Sequence, residues 1–275
     1  DRQLSFTAWG TEVCSESGLV GVSRVKRQQL MLLTMLVLSR DTITKDILQS
    51  LLGSLIYPLS HNKTSMCVLG QVFQFMNGMS EGKAVKIPWN IREELLISCL
   101  HLPLAQTDIR APISTKIYCS DATPSSGGVM SAQVSQKCAE ALYRFAEHKG
   151  KYTYLNLADT EGVLQQWQHA EMPEELRDVL LSAAWFTERE FDYKHSKHVN
   201  LQEIATAKAA LRVACNEHCR SERLINGTDS RVSLGAIGKG RSASPKINKL
   251  LRSILGWLVL GKKQFVQPYF NTKYM

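Results

Sequence analysis

In Ile117-Tyr118-Cys119-Ser120-Asp121-Ala122-Thr123-Pro124-Ser125-Ser126-Gly127-Gly128-Val129, a β-favouring apolar run reaches an acid, then a Pro/Ser/Gly turn, then a second apolar run. The pattern predicts a strand ending near Asp121, a tight reversal, and a short strand over Val129 to Val134. Ser135 is placed to cap a helix carrying Cys138, Leu142 and Phe145 on one face, with Gly150 just past its end.

Further along, Pro173 opens a helix through Leu176, Val179, Leu180 and Ala183, in an otherwise less regular stretch from 150 to 198. Asn200 caps a helix from Leu201 to about Cys219. A strand over Arg223 to Asn226 then runs into Gly227-Thr228-Asp229-Ser230. Ser244-Pro245 starts a helix with Ile247, Leu250, Leu251, Ile254 and Leu255 inward, and Gln264 to Phe270 reads as a last strand.

Toward the N-terminus the pattern changes at Arg110-Ala111-Pro112, which is the expected domain boundary. Before it, Glu16-Ser17-Gly18 joins two candidate strands, Phe6 to Cys14 and Leu19 to Ser23, into a β-hairpin. Helical spacing follows over Ser23 to Leu38 and through Ile47, Leu48, Leu51, Leu52, Leu55 and Ile56. It recurs through Leu69, Val72, Phe73 and Met76 after a Thr64-Ser65 start signal, and through Ile91, Leu95, Leu96 and Leu102 before Pro103. The expected architecture is α/β: a hairpin and small helical domain over 1–110, then a mixed sheet with flanking helices over 111–275.

The 275 residues carry 33 Lys+Arg against 25 Asp+Glu, a net charge of +8, with 44% hydrophobic residues. That is enough for a real core and excludes a disordered or collagen-like chain. The longest apolar runs, Leu30 to Leu38 and Ile254 to Leu260, are about half of the roughly 20 residues a membrane span needs, so no membrane role is expected. Cysteines at 14, 67, 99, 119, 138, 215 and 219 have no framework spacing, which fits an intracellular, reducing compartment, cytoplasmic or nuclear. The chain starts at Asp1 without an initiator Met and is expected to be a piece of a longer product. Its basic balance favours a polyanionic partner.

Three acids stand where a fold can aim a side chain: Asp121 at a strand end, Glu203 in the first turn of a helix, and Asp229 at the end of another strand. Open α/β sheets build sites at the carboxyl ends of neighbouring strands. Ala207, Ala210 and Ala214, on the Glu203 face, let that helix lie close to a sheet. Converging carboxylates suit hard divalent ions, two of which can hydrolyse a phosphodiester. Acids at strand ends and helix starts also serve as plain caps, and spacing alone favours that reading.

The Ile117 to Val129 run resembles the opening strand of the ribonuclease H domain of retrotransposon polyproteins, with its apolar strand, Asp-Ala-Ser/Thr and Gly-containing turn. His198-Val199-Asn200-Leu201-Gln202-Glu203 is similar to the second motif of that family, and Thr228-Asp229-Ser230 to the third, usually Thr-Asp-Asn. Gly238-Lys239-Gly240-Arg241-Ser242 fits the segment after the third acid. The resemblance implies a ribonuclease H-like fold in which Asp121, Glu203 and Asp229 hold Mg2+ (or Mn2+) and cleave RNA in an RNA/DNA hybrid. Two departures accompany it. Asp121 and Glu203 are 82 positions apart, so about 135–198 looks inserted, and the fourth acid of the family is expected beyond Met275. Cleavage by residues 1–275 alone is therefore expected to be weak or absent.

The first part resembles the end of a reverse transcriptase palm and its thumb. Phe6-Thr7-Ala8-Trp9-Gly10, the hairpin to Val22, Leu51-Leu52-Gly53 and Arg92-Glu93-Glu94-Leu95-Leu96 carry that likeness. No Tyr-x-Asp-Asp run occurs, so the polymerase site is implied upstream in the same polyprotein. The alternatives are a non-catalytic ribonuclease H-like nucleic-acid-binding module from a decayed element, or an unrelated basic α/β binding protein.

Other candidates read more simply. Lys239 and Arg241 are offered as nucleic-acid contacts, although basic runs are most often solvated faces. Cys215, His218 and Cys219 lack the remaining ligands of a structural zinc site. His195 and His198 read as solvated loop residues, and Gly235, Gly238 and Gly240 as a turn.

Overall fold

The computed structural model describes residues 5–148, 172–195 and 198–271, and the chain divides into two compact units. Residues 1–111 and 240–252 form one, residues 112–239 and 253–275 the other.

In the first unit, β1 (Phe6–Ala8), β2 (Thr11–Cys14) and β3 (Leu19–Val22) form an antiparallel meander, joined at β3 by β6 (Gln106–Asp108). The single strand expected over Phe6 to Cys14 is broken at Trp9 and Gly10, where φ is 48° and 79°. Positive φ at both central residues makes a two-residue hairpin turn whose twist matches the strands, a signal hidden because Trp seldom adopts it.

Ser23 caps α1 (Arg24–Leu38) by accepting from the Lys26 amide. The stripe Leu48, Leu51, Leu52, Leu55 and Leu59 of α2 (Lys45–Leu59) is buried. Thr64 and Ser65 do not start a helix as expected. They lie in a 3-10 stretch (Ser60–Val68), and α3 (Gln71–Asn77) begins after Gly70. The missing cap comes from α4 (Trp89–His101): the buried Glu94 carboxylate accepts from the amides of Gly70 and Val72 at 3.0 and 2.9 Å. Arg252 closes the knot, donating to Glu94 and to the carbonyls of Cys67 and Val68.

The second unit is built on a mixed sheet. Its members are β7 (Lys116–Ala122), β8 (Ser126–Gln133), β9 (Trp185–Asp192), β10 (Glu222–Gly227) and β11 (Lys263–Val266), in the order β11-β10-β7-β8-β9. β10 runs parallel to both neighbours, while β7, β8 and β9 are antiparallel. Successive residues of β7 face opposite sides. Ile117 joins a core with α5 (Gln136–Phe145, capped by Ser135) and α6 (Glu174–Ser182), through Ala139, Leu142, Leu176 and Leu180. Tyr118 faces the opposite side, where α7 (Val199–Glu217) lies, its Ala207, Ala210 and Ala214 all buried.

Three expectations need correction here. The sequence gives no strand signal between 150 and 198, yet β9 pairs along the length of β8, so this stretch contributes to the sheet. Gly150 and the rest of 149–171 lie outside the described residues. The cap of α7 is His198, whose ring accepts from the Asn200 amide at 3.3 Å; Asn200 itself is already helical. Gly235 and Gly238 belong to α8 (Arg231–Lys239), where buried Leu234, Ala236 and Ile237 outweigh the low helix propensity of glycine. The last helix, α9 (Pro245–Gly261), starts as expected, its residues through Arg252 lying in the first unit and the rest in the second.

Candidate metal centre

Asp121 is the penultimate residue of β7, opposite Gly128 of β8, and the space a Cβ would take at Gly128 is open. Asp229 follows two residues after β10 and just before α8, whose first turn is closed by the Ser233 amide donating to Ser230 Oγ. Because β7 and β10 are adjacent and parallel, with Asn226 opposite Tyr118 and Gly227 opposite Cys119, their carboxyl ends deliver both acids to one edge. Glu203 arrives from the first turns of α7, which packs on β7 and β8.

One carboxylate oxygen from each of Asp121, Glu203 and Asp229 lies within 4.8 Å of the other two. Among the described residues no other group of three or more His, Cys, Asp or Glu converges in this way. Asp121 is exposed, Asp229 half-buried and Glu203 buried. Burial, reinforced by the negative charge of Asp121 and Asp229, pushes the Glu203 carboxyl up to about 8. Burial and the same two acids push the Cys119 thiol up to about 12. Neither Asp121 nor Glu203 has an ion pair among the described residues.

Whether these residues fit a cation is tested by Glu203 Oε2, which is buried and has no hydrogen-bond partner. A buried, unpartnered carboxylate oxygen costs one to several kcal/mol unless a proton or cation meets it. The donor set, all carboxylate oxygens, is what a hard divalent ion takes. These residues can hold a metal ion.

The surroundings are built from residues the sequence did not single out. Asn226 Nδ2 donates to Ser120 Oγ at 2.9 Å across the parallel pair. Gln202 Nε2 donates to the Pro124 carbonyl at 2.7 Å, tying α7 to the turn after Asp121. Tyr193, just past β9, packs on the start of α7. Its phenol is held above its usual value by burial, and also by Glu203 and Asp121, against a lowering hydrogen bond with Thr206. Ser120 and Gln202 lie within the motif runs without being marked as site residues, and no motif signal marks Tyr193; only the pairing of β8 with β9 brings Tyr193 to the site.

Lys239 ends α8, so about 12 Å of helix separates it from the end near Asp229. Arg241 is exposed and belongs to the first unit. Cys215 and Cys219 donate their thiols to the carbonyls of Trp257 and Leu260, and His218 faces Glu222 at 2.9 Å. His195 is exposed.

No protein-family model and no curated protein matches the chain. Among solved structures it is similar to the foamy viral protease-reverse transcriptase in three complexes. The dRH form with double-stranded DNA is 11% identical at a TM-score of 0.32, covering 96% of this chain and 37% of that one. A second complex with double-stranded DNA is 13% identical at 0.33 (98% and 45%). A third, with an RNA/DNA hybrid, is 12% identical at 0.29 (98% and 50%). The chain thus spans half or less of the length of these proteins, and at such TM-scores the likeness carries no argument about this site.

Proposed function

We propose that the chain is the end of a reverse transcriptase palm and its thumb joined to a ribonuclease H-like domain, acting on the RNA strand of RNA/DNA hybrids. The observation that carries this reading is the trio Asp121, Glu203 and Asp229, within 4.8 Å of one another, with Glu203 Oε2 buried and unpartnered. Two adjacent parallel strand ends and a helix start support that geometry, and the motif resemblance supports the reaction.

In this reading the trio holds Mg2+ (or Mn2+), which when bound lowers the pKa of a water and offsets charge on the 3′ leaving oxygen. Asp121, exposed beside side-chain-free Gly128, offers its carboxylate on the side open to a backbone. Asp229 is held by the end of β10 and the cap of α8. Glu203 retains a proton near neutral pH until a cation replaces it. Lys239 and Arg241 are proposed to touch nucleic-acid phosphates, and an upstream polymerase segment of the same polyprotein to be the covalent partner.

The test is cleavage of a labelled RNA/DNA hybrid in Mg2+ or Mn2+. Metal-dependent cleavage of the RNA strand by residues 1–275 is expected to be weak at most, and whatever cleavage wild type shows should be lost in Asp121→Asn with hybrid affinity kept. Hybrid binding without cleavage or metal binding would favour the non-catalytic module instead.

A further inference from the structure

Tyr193 stands outside all three acidic motifs, yet its hydroxyl lies 2.5 Å from Thr206 Oγ1 and 3.1 Å from the Gln202 carbonyl. The Thr206 hydroxyl in turn donates to that same carbonyl at 2.9 Å. The three oxygens close a knot on the peptide joining Gln202 to Glu203. We infer that Tyr193 is a positioning residue: with Thr206 it holds the peptide plane from which Glu203 projects into the carboxylate trio. The inference rests on the proposed metal-binding role of that trio.

Several contacts make the knot rigid and tie it to Asp121. The Tyr193 amide donates to the Ser125 carbonyl at 2.8 Å, and Gln202 Nε2 donates to Pro124 at 2.7 Å. Both anchors belong to the turn that directly follows Asp121, so one loop references both ligands. Gly127 leaves the slot in which the knot sits. A Cβ there would come within 2.8 Å of Tyr193 Oη and Phe191 Cζ and 2.7 Å of Thr206 Oγ1. The Phe191 and Tyr193 rings meet edge to face, centroids 5.4 Å apart, so the phenyl ring is packed independently of its hydroxyl. Gln202 and Thr206 are 1% and 0% exposed, so water does not substitute for a lost partner. First helical turns are the part of a helix that frays, and a ligand carried there needs such support. Groups that orient a ligand from behind are worth about 10–100-fold in metal affinity.

Tyr193→Phe removes only the hydroxyl. Titration calorimetry with Mn2+ is expected to show affinity reduced by about 10–100-fold, with hybrid affinity unchanged. Thr206→Val should match it, and Thr206→Ser, which restores the hydroxyl, should stay near wild type. Independently of metal, NMR order parameters of the amides at 201–205 should fall in Tyr193→Phe. Wild-type order parameters and Mn2+ affinity in Tyr193→Phe, or equal damage from Thr206→Ser and Thr206→Val, would overturn the inference. Absence of Mn2+ binding by wild type would instead sink the metal reading, and the order parameters would still decide whether Tyr193 holds the peptide.

Discussion

Asn226 and Ser120 are joined across the parallel strands β7 and β10 by a buried hydrogen bond of 2.9 Å, one residue before Asp121 and three before Asp229. The bond fixes the register in which the two acids meet. Asn226→Ala strands the Ser120 hydroxyl at 2% exposure and should cost about 1–3 kcal/mol in urea unfolding. The double variant with Ser120→Ala should cost less than the sum of the singles, since both remove one interaction. Strict additivity would show that the pair is not coupled.

The pH dependence follows from Glu203. Its carboxyl is raised from 4.5 to about 8 by burial, then by Asp121 and Asp229, so between these values the folded chain binds a proton that the unfolded chain does not. Metal-free stability should therefore fall as pH rises through this window, by at most about 1.4 kcal/mol per pH unit from this group. Glu203→Gln should flatten the slope, and saturating Mg2+ should do the same by displacing the proton, with proton release visible in buffers of different ionisation enthalpy. A metal-free profile that rises from pH 5 to 8 and is untouched by Glu203→Gln contradicts the assignment.

The β10–β11 edge of the second unit's sheet is joined by a buried charge pair. Lys263 Nζ donates to Glu222 Oε1 at 2.5 Å with both side chains almost fully buried, linking β10 to β11. Lys263→Met removes the one fully buried cation beside Glu222, leaving it only the more exposed His218 and Arg220 at 2.9 and 3.3 Å, and should cost up to about 3–5 kcal/mol, while adding Glu222→Leu should recover much of that. A single variant as stable as wild type would mean that the pair holds nothing.

Hybrid binding should weaken linearly in log affinity against log salt, because the chain is basic and phosphate contacts release counterions. Alanine at Lys239 or Arg241 should lower that slope by about one contact each, without changing sequence preference. A slope unaffected by either substitution removes these residues from the interface.

Much of the architecture was legible where local chemistry and tertiary context agree. The Ile117 to Val129 hairpin, the Ser23 and Ser135 caps and the Pro173 helix start all declare themselves through turn residues and caps. β9 did not, because Glu188, Arg189, Glu190 and Asp192 make an edge strand look like a solvated loop; at a sheet edge such charges are tolerated and discourage further pairing. The α3 cap was illegible because Glu94 reaches it from another helix. Likewise the acids of the candidate site were visible as motif residues. Tyr193, Thr206 and Asn226 were not, since their role arises only from strand pairing and helix placement.

The central claim is that Asp121, Glu203 and Asp229 together bind a divalent cation, and direct titration of the folded chain with Mn2+ and Mg2+ by calorimetry tests it most directly. Saturable binding is predicted for wild type, with each of Asp121→Asn, Glu203→Gln and Asp229→Asn weakening it by an order of magnitude or abolishing it while the fold persists by circular dichroism. A wild-type chain that takes up no cation at millimolar concentrations, or three variants that bind as wild type does, would contradict it.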